Sequence, residues 1–392
     1  SDVAVFDLTE HLELIREGTN ILAVYVLNAS LDSPLLLFAP ELEAVDVVPG
    51  TLNYLSTPTP GESNIAGSVG LMQAPEFAVS PGMFSSEFRL QLSAETPDAT
   101  IRYTTDGSLP DETSLVYTEP ILISESTTVR AFTTLRNHIR STTRTAHYIK
   151  FVDGAAEFSS DLPLLVIDTF GGAIRAGEFA ASFSLLLEPG PDGRTRLTGA
   201  PTVATRSGIR VRGTSSSGFA KSPFALEFWR DASNTDRDLP LLGMPPDSDW
   251  ILHGPFLNDR THTKNAFVFD LSNQLGYYAP RTRYVELFVN RDDGVLGFSD
   301  YAGIYLIVEK IKRAAHRVDV PQLAPLASKE DITGGYIIKR DRPDPDDTGF
   351  AIGDIDQLAY VEPKEEEIKQ RPAQEAWLHD YLNRFDAVLD AS

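Results

Sequence analysis

One stretch of the sequence, SGIRVRGTSSSGFAKSPFALEFWR, carries residues whose types and spacing favour phosphate chemistry. Gly213 and Gly218 lie on either side of a serine run, and Lys221 follows. The pattern is close to the phosphate-binding loop G-x-x-x-x-G-K-[ST], except that Phe219 and Ala220 separate the second glycine from the lysine. A true loop of that class leads into a helix whose N-terminus faces the phosphates.

The residues after the lysine predict a strand instead. Between Pro223 and Trp229 the apolar side chains of Phe224, Leu226 and Phe228 alternate with other residues, which is the period of a β-strand. A strand, a flexible Gly/Ser loop and a second strand with a lysine near its start form the device with which protein kinases cover nucleotide phosphates. A plain hairpin with a serine-glycine tip has the same spacing, so the spacing alone leaves both interpretations open.

Two other kinds of catalytic site are excluded by spacing. The serine-hydrolase motif G-x-S-x-G requires a glycine where Ser217 stands, and no helix is predicted after it. The seven histidines show no H-x-x-x-H pair or similar ligand spacing, so the sequence does not predict a zinc site. The chain has no cysteine, which excludes thiol nucleophiles and disulfides.

An acidic loop near the C-terminal end is a candidate metal site. Asp341, Asp344, Asp346 and Asp347 lie close together, but the glycine and the final glutamate of a calcium-binding loop are misplaced. Two prolines within the cluster favour a solvated loop. Asp341 is the residue of this loop that we expect to contact a metal.

The composition limits what the chain can bind. Its 392 residues are 42% hydrophobic and 23% charged, which is typical of a globular chain with several domains. The 56 Asp and Glu residues against 34 Lys and Arg give a formal net charge of −22, which repels nucleic acid and anionic membranes. No apolar run approaches the roughly 18 residues that a membrane helix needs. We therefore expect no nucleic-acid partner and no membrane span.

The elements around the serine-glycine stretch predict an α+β domain over residues 152–392. Its strands are expected to form an antiparallel sheet, and the turn PGPDGR predicts a hairpin between the second and third strands. An amphipathic helix is predicted over residues 374–389. The predicted strands are Leu164 to Ile167, Ser182 to Leu187, Arg194 to Leu197, Ile209 to Arg212, Phe224 to Trp229, Tyr284 to Asn290, Ile304 to Lys310 and Tyr336 to Arg340.

A central helix is predicted between Thr261 and Leu275. Apolar residues recur at i, i+4 and i+8 from Phe267, which favours a helix with one face on the core. Thr261 or Thr263 can act as the N-cap, and Gly276 is suited to the C-terminal stop.

The front of the chain predicts β structure. Short alternating runs separated by turns predict a β-sandwich over residues 74–150. There the string TPDATIRYTTDGSLPDETSLVYTEPILISESTTVRAFTT resembles the chitobiase/β-hexosaminidase C-terminal, fibronectin-like module, which implies an accessory role. Upstream, strands are predicted at Val3 to Phe6 and Asn20 to Leu27, and the segment LIREGTNILAVYVLNASLDSP resembles the end of a galactose-binding-like jelly roll. The expected parts are a partial β domain with a linker (1–70), the sandwich (71–151) and the α+β domain (152–392).

Four motifs, in order along the chain, carry a resemblance to a known family. They are IRVRGTSSSGFAKSPFALEF, LLGMPPDSDWILHGPFLNDRTHTKNAFVFDLSNQLGYYAPRTRYVELFVN, YAGIYLIVEKIKRAAHRVDV and GGYIIKRD. Together they resemble the spore-coat protein H (CotH) kinase family. The resemblance implies an atypical kinase-like fold that binds ATP with a divalent metal, expected to be magnesium, and phosphorylates Ser or Thr of partner proteins.

The resemblance also implies which residues meet the nucleotide. Arg212, Gly213, Ser216 and Lys221 occupy the R-G-x-S-S…K motif, and Lys221 is expected to meet phosphate as a point charge. This interpretation requires the Lys221 ammonium to face a cavity and to lie near Glu309. Other residues that match family motifs are Lys264, Asn265, Arg281 and Arg283.

Glu309 and Lys310 lie in the EKI motif, and the resemblance implies that they face the ribose or adenine of the nucleotide. Each has a structural alternative. Glu309 can pair with Arg313 or Arg317, Lys310 can be solvated, and Arg281 can cap the end of the central helix.

The catalytic aspartates of the family are expected in a later Trp-Asp-x-Asp segment. The sequence stops before such a segment, so we expect a piece truncated at both ends and a kinase region that is catalytically incomplete. The expected parent is an extracellular or cell-surface bacterial kinase that acts on exported or surface proteins. The alternative is a non-catalytic adhesion or glycan-binding protein that uses the kinase-like fold as a scaffold.

Overall fold

The computed structural model describes residues 54–55, 67–213, 216–254, 259–325, 327, 331–341, 349–353 and 355–390. The chain divides into two compact units, residues 1–53 and 54–392, and every described residue belongs to the second unit. The two strands predicted before residue 30, and the segment with the galactose-binding resemblance, lie outside the described residues. No helix among the described residues is long and apolar enough to cross a membrane.

Short strands build a β-sandwich where the alternation predicted one. They are Gly70–Leu71 (β1), Glu76–Phe77 (β2), Gly82–Phe84 (β3), Phe88–Leu90 (β4), Leu92–Ser93 (β5), Thr100–Thr104 (β6), Leu115–Val116 (β7), Ile121–Ile123 (β8), Thr127–Thr134 (β9), His138–Ile139 (β10) and Arg144–Lys150 (β11). The main sheet has the order β3-β11-β9-β6-β7, with β2–β5, β4–β8 and β1–β10 as separate pairs. Leu90 and Ile123 of β4–β8 pack with Val129 and Ala131 of β9, and all four are fully buried.

A closed barrel follows the sandwich. Its strands and their short neighbours are Ser159–Ser160 (β12), Leu164–Asp168 (β13), Ala180–Leu187 (β14), Thr195–Arg196 (β15), Val203–Val211 (β16), Phe224–Trp229 (β17), Leu239–Leu241 (β18), Met244–Asp247 (β19), Asp249–His253 (β20), Thr282–Asn290 (β21) and Tyr301–Glu309 (β22). Two 3-10 helices, Asp153–Glu157 and Phe298–Asp300, flank it. The barrel order is β13-β14-β16-β17-β20-β22-β21. Trp250, Tyr305 and Phe228 fill its interior, each at most 2% exposed.

The prediction of an antiparallel sheet is wrong at one pair. Strands β13 and β21 run parallel, from Leu164 opposite Glu286 to Asp168 opposite Asn290, and this pair closes the barrel. All other barrel pairs are antiparallel. Closure leaves no open sheet edge in the barrel, which removes a template for unwanted strand pairing.

The hairpin predicted at PGPDGR is also wrong. Strand β14 pairs with β13 and β16, whereas β15 pairs with β12. The turn closes on itself, because the Gly190 amide donates to the Arg194 carbonyl at 3.0 Å. The turn residues were therefore read correctly, but the strands that they join are not partners.

The central helix, Lys264–Gln274 (α1), is confirmed, but its predicted inner face is wrong. Phe267, Leu271 and Leu275 are 66%, 42% and 65% exposed. Ala266 and Phe269 instead pack against β20 and β22. Gly276 ends the helix with a positive φ of 86°, as expected of a C-terminal glycine.

The C-terminal part is a small sheet with helices. Its elements are Ile337–Arg340 (β23), Phe350–Ile352 (β24), Ile355–Glu362 (β25), Glu365–Ile368 (α2) and Pro372–Asp390 (α3). The order β23-β25-β24 is antiparallel, and Leu378 of α3 packs with Tyr360 and Ile368. The amphipathic helix is confirmed, although Tyr381, Phe385 and Leu389 of its predicted stripe are about half exposed. The described residues are thus mostly β, with few helices.

Candidate functional site

The serine-glycine stretch forms the tip of an antiparallel hairpin between β16 and β17, as the alternation predicted. The Arg212 amide donates to the Pro223 carbonyl at 2.9 Å, which closes the hairpin below the tip. Gly213 has a φ of +84°, and a Cβ on it would overlap with the hydroxyl of Ser216. A glycine is therefore required at this position. Thr214 and Ser215 lie outside the described residues.

A cavity of about 240 Å³ opens beneath the tip, between β17, the end of β20 and the start of α1. Its lining is formed by Ser216, Phe219, Pro223, His253, Gly254, Asp259, Lys264 and Asn265. The structure thus places the tip of the predicted phosphate loop, together with the helix start that matches a family motif, at one pocket.

Asp259 holds the N-terminus of α1. Its carboxylate accepts from the Lys264 amide at 2.7 Å and from the Thr261 hydroxyl at 2.6 Å. Thr263 stands at the N-cap position but makes no side-chain cap, so the predicted threonine cap is wrong and an upstream aspartate does this work. The hydrogen bond from the Thr261 hydroxyl is the largest effect and lowers the pKa of Asp259; burial opposes it, and the backbone hydrogen bonds from Lys264 and Thr261 lower the pKa further.

Lys221 lies three residues before β17, and its side chain reaches strand β22. Its Nζ donates to the Ile304 carbonyl and lies 4.8 Å from the centre of the Tyr305 ring. Two glycines leave room for the Lys221 side chain. A Cβ on Gly303 would lie 3.4 Å from Nζ of Lys221, and a Cβ on Gly254 would lie 2.9 Å from its Cγ. Burial lowers the pKa of Lys221, and the charge of Glu286 opposes that shift.

The cavity is electropositive. Burial lowers the pKa of His253, and the charges of Arg212 and His262 lower it further. Burial and the charge of Lys221 likewise lower the pKa of His262. The charge of Asp259 opposes both shifts. Of the three nearby cations, Lys264 lines the cavity, whereas Arg212 and Lys221 act on the histidines without belonging to the lining. In a chain with a net charge of −22, three cations beside one carboxylate favour an anion locally.

The expected proximity of Lys221 to Glu309 is wrong. Lys221 binds the backbone at Ile304, whereas Glu309 stands five residues further along β22, about 16 Å away at the rise of a strand. The acidic group whose charge acts on Lys221 is Glu286, which lies opposite Ile304 on β21. The two halves of the predicted nucleotide site therefore lie at different ends of one strand. The requirement that joined Lys221 to Glu309 is not met, so only a phosphate contact of Lys221 without Glu309 is left to propose.

Glu309 is fully buried in an ion-pair network. Its Oε1 lies 2.8 Å from Arg281 Nη2 and 3.3 Å from Nη1 of the buried Arg317, whose Nη2 lies 3.2 Å from Asp247. The Arg317 nitrogens are close enough for charge attraction but do not have hydrogen-bond geometry. Of the two alternatives weighed for Glu309, Arg317 is the partner, while Arg313 pairs with Glu362 at 3.2 Å.

Lys310 and Arg281 are also engaged within the protein. Lys310 Nζ lies 2.8 Å from Asp249, and Lys312 lies 2.7 Å from the same carboxylate. Burial raises the pKa of Asp249, but the two lysines outweigh it and the net shift is downward. Arg281 binds Glu309 and the His316 carbonyl instead of the end of α1. A nucleotide contact of Glu309 or Lys310 stays a prediction.

The metal assignment also stays a prediction. The Asp341 amide donates to the Gln357 carbonyl at 2.9 Å, while Asp344, Asp346 and Asp347 lie outside the described residues. The residues that the structure describes contain no group of three or more His, Asp or Glu arranged to hold a metal ion. At the cavity, the carboxylate of Asp259 is already occupied by the helix start. The described donors therefore do not fit a magnesium ion.

Sequence reasoning missed two residues of the cavity lining, His253 and Asp259, and the neighbouring His262. Asp259 stands five residues before the first residue of α1, so a search for an aspartate upstream of the predicted helix would have found it. His253 comes to the site only because β20 pairs with β17, which no local pattern reveals.

We expect His253 and His262 to make the free energy of unfolding rise with pH. Their pKa values in the folded chain are lowered from 6.5, mainly by burial, so the unfolded chain takes up protons first as the pH falls. Stability should then be lost as the pH drops below about 6.5, and a His253→Gln variant should lose part of this slope. The measurement is the free energy of unfolding in urea at several pH values. Equal slopes for the two proteins would contradict the prediction.

Comparison with known families agrees with these features. Residues 209–391 match the family model described as CotH kinase protein, and residues 79–145 match the chitobiase/beta-hexosaminidase C-terminal domain. A search of curated proteins gave no match. The first match covers the hairpin, the cavity and the ion-pair network, and the second covers most of the sandwich. The chain therefore contains a region that matches the CotH kinase family and, before it, a region that matches the chitobiase/β-hexosaminidase C-terminal domain.

Proposed function

We propose that the cavity beneath the β16–β17 tip binds the phosphates of ATP, as part of an atypical kinase-like region. The observation that carries the proposal is positive charge at one cavity: Lys264 lines it, and the charges of Arg212 and Lys221 act on His253 in its lining and on the neighbouring His262. Three cations suit a polyanion. The Nδ1 atom of His262 is buried without a partner, which leaves a further polar group near the cavity.

In this proposal each residue has a limited task. Arg212 and Lys264 hold phosphate oxygens, and Lys221 exchanges its backbone acceptor for a phosphate oxygen. The tip with Gly213 and Ser216 covers the phosphates and excludes water. The protein would transfer the terminal phosphoryl group of ATP to a Ser or Thr hydroxyl of an exported or surface protein outside the bacterial cell, with release of ADP and of the hydroxyl proton. Magnesium would neutralise charge on the phosphates when bound, but the described residues supply no set of ligands for it.

We expect replacement of Lys221 by Ala to weaken ATP binding by at least about tenfold, since a charge-assisted hydrogen bond contributes about 1.5–3 kcal/mol. The measurement is thermal unfolding with increasing ATP, with and without magnesium. A ligand at 100 times its Kd stabilises by about 2.7 kcal/mol. Lys150→Ala is a matched control, because Lys150 Nζ also donates to one backbone carbonyl, that of Ser124, but in the sandwich.

Absence of any ATP-dependent stabilisation of the wild-type chain would contradict the proposal. An equal loss in the Lys221 and Lys150 variants would do so as well, because binding would then not depend on the cavity.

A second function is favoured because the described cavity lining contains only one carboxylate, that of Asp259. Asp259 is occupied by the helix start, and no described group is arranged for a metal. The kinase-like region would then be a scaffold in a surface protein whose sandwich contacts partners, with glycans as the candidate class. ATP binding without phosphoryl transfer, together with retention on a glycan array, would favour this function. Transfer of labelled phosphate to protein would favour the kinase.

A further inference from the structure

Two arginines meet where the sandwich contacts the barrel. Arg130 lies on β9 and is only 6% exposed, and Arg206 lies near the start of β16. Both guanidinium groups reach the loop that follows β17: Arg130 Nη2 lies 2.5 Å from the Asp231 carbonyl and Arg206 Nη1 lies 2.8 Å from the Ser233 carbonyl. Burial and then the charge of Arg206 lower the pKa of Arg130 to about 10, so the two cations repel each other.

Among the described residues no carboxylate is in direct contact with either guanidinium, although the charge of Asp231 acts on both. Their hydrogen bonds all end on neutral oxygens, which are those of Gly107 and Asp231 for Arg130, and of Arg230, Ser233 and Asn234 for Arg206. The carboxylate of Asp231 lies 3.5 Å from Arg237 instead. The Nε atom of Arg130 is buried and has no hydrogen-bond partner. The junction therefore holds one unused N–H donor, and several arginines share one carboxylate inside an acidic chain.

Paired guanidinium groups with a free donor suit one class of ligand. A single carboxylate, that of Asp231, is shared by several arginines and balances their charge incompletely. The planar N–H fork of arginine matches the oxygens of phosphate and sulfate. We propose that Arg130 and Arg206, with Arg237 at the edge, bind a small tetrahedral oxyanion at the junction of sandwich and barrel. Phosphate and sulfate share this chemistry.

This anion site is separate from the ATP cavity. Arg206 is near the start of β16 and Arg212 just beyond its end, a separation of about 20 Å at the rise of a strand. The proposal therefore does not depend on nucleotide binding. A titration must nevertheless exclude phosphate bound at the cavity, so the test uses the full chain with Lys221→Ala as background.

Trp229 provides a local signal for the test. The Arg206 guanidinium lies 5.8 Å from the centre of its ring, so an anion on Arg206 should change its fluorescence. We expect saturable changes with phosphate and with sulfate at constant ionic strength, and no comparable change with chloride. Isothermal titration calorimetry on the same samples gives the affinity without relying on the fluorophore.

Arg206→Gln should weaken anion binding by about tenfold or more. Arg237→Gln, at a more exposed position, should weaken it less and guards against a folding defect. Arg196→Gln is the matched control, since Arg196 is an exposed arginine paired with Asp192 at 2.7 Å on the barrel. Saturable binding of either oxyanion that is lost in Arg206→Gln and kept in Arg196→Gln supports the site. Equal binding by all variants, an equal response to chloride, or no saturation overturns it.

Discussion

Replacing Glu309 by Ala is expected to destabilise the folded chain by about 3 kcal/mol, near the lower end of the range for breaking a buried ion pair. The change leaves the positive charge of the fully buried Arg317 with Asp247 alone, 3.2 Å away. It also removes the acceptor of the Arg281 amide, which now lies 2.9 Å from Oε2. Urea unfolding followed by tryptophan fluorescence measures the loss.

The same variant separates a structural role of Glu309 from the nucleotide contact that its motif predicted. Because the Lys221 cavity lies at the other end of β22, the folded variant should bind ATP as the wild type does. Glu362→Ala is the control: its pair with Arg313 is partly exposed and should contribute about 0–1 kcal/mol. A Glu309→Ala protein of normal stability and weakened ATP affinity would restore the nucleotide role.

Local patterns predicted the hairpin of the candidate site well because the signals are local. The alternation of apolar residues after Pro223 predicted β17 with its observed bounds. Position 213 requires glycine because its φ is positive. The first six residues of β16, 203–208, were missed for a physical reason. Thr205 and Ser207 are fully buried, and the Ser207 hydroxyl bonds those of Ser182 and Ser184 on β14. Serine residues whose hydroxyls hydrogen-bond one another inside a sheet can be buried, but a hydrophobicity pattern in the sequence does not identify them as core residues.

Spatial arrangement was the part that the sequence could not supply. The helix α1 was predicted from its period, but the period gives two apolar sides and does not say which one meets the barrel. The EKI motif was placed beside Lys221 by resemblance, whereas the direction of β22 carries Glu309 away from it. Pairings such as β20 with β17 are long-range, and only they bring His253 to the cavity.

Replacing Asp168 by Ala is expected to weaken both the barrel and its junction with the sandwich, with a loss of about 1–3 kcal/mol for each buried donor left without an acceptor. Asp168 on β13 is fully buried, and its Oδ2 lies 3.2 Å from Nε2 of the buried His147 on β11, a contact without hydrogen-bond geometry. The other ring nitrogen of His147 lies 2.8 Å from the Thr128 hydroxyl, so one imidazole joins the two parts. Asp168 also accepts from the Phe170 amide at 2.8 Å and from Asn290 at 3.2 Å.

Hydrogen exchange read by mass spectrometry tests whether this contact couples the two parts. If it does, amides of β9 and β11 in the sandwich should lose protection in parallel with those of β13 and β14 in the Asp168→Ala protein. Asp192→Ala, which removes only an exposed pair with Arg196, should leave both regions protected. Loss of protection confined to the barrel would show that the sandwich is stable without the Asp168 contact. A double-mutant cycle with His147→Ala should then give no coupling, whereas a cooperative junction predicts about 0.5–3 kcal/mol.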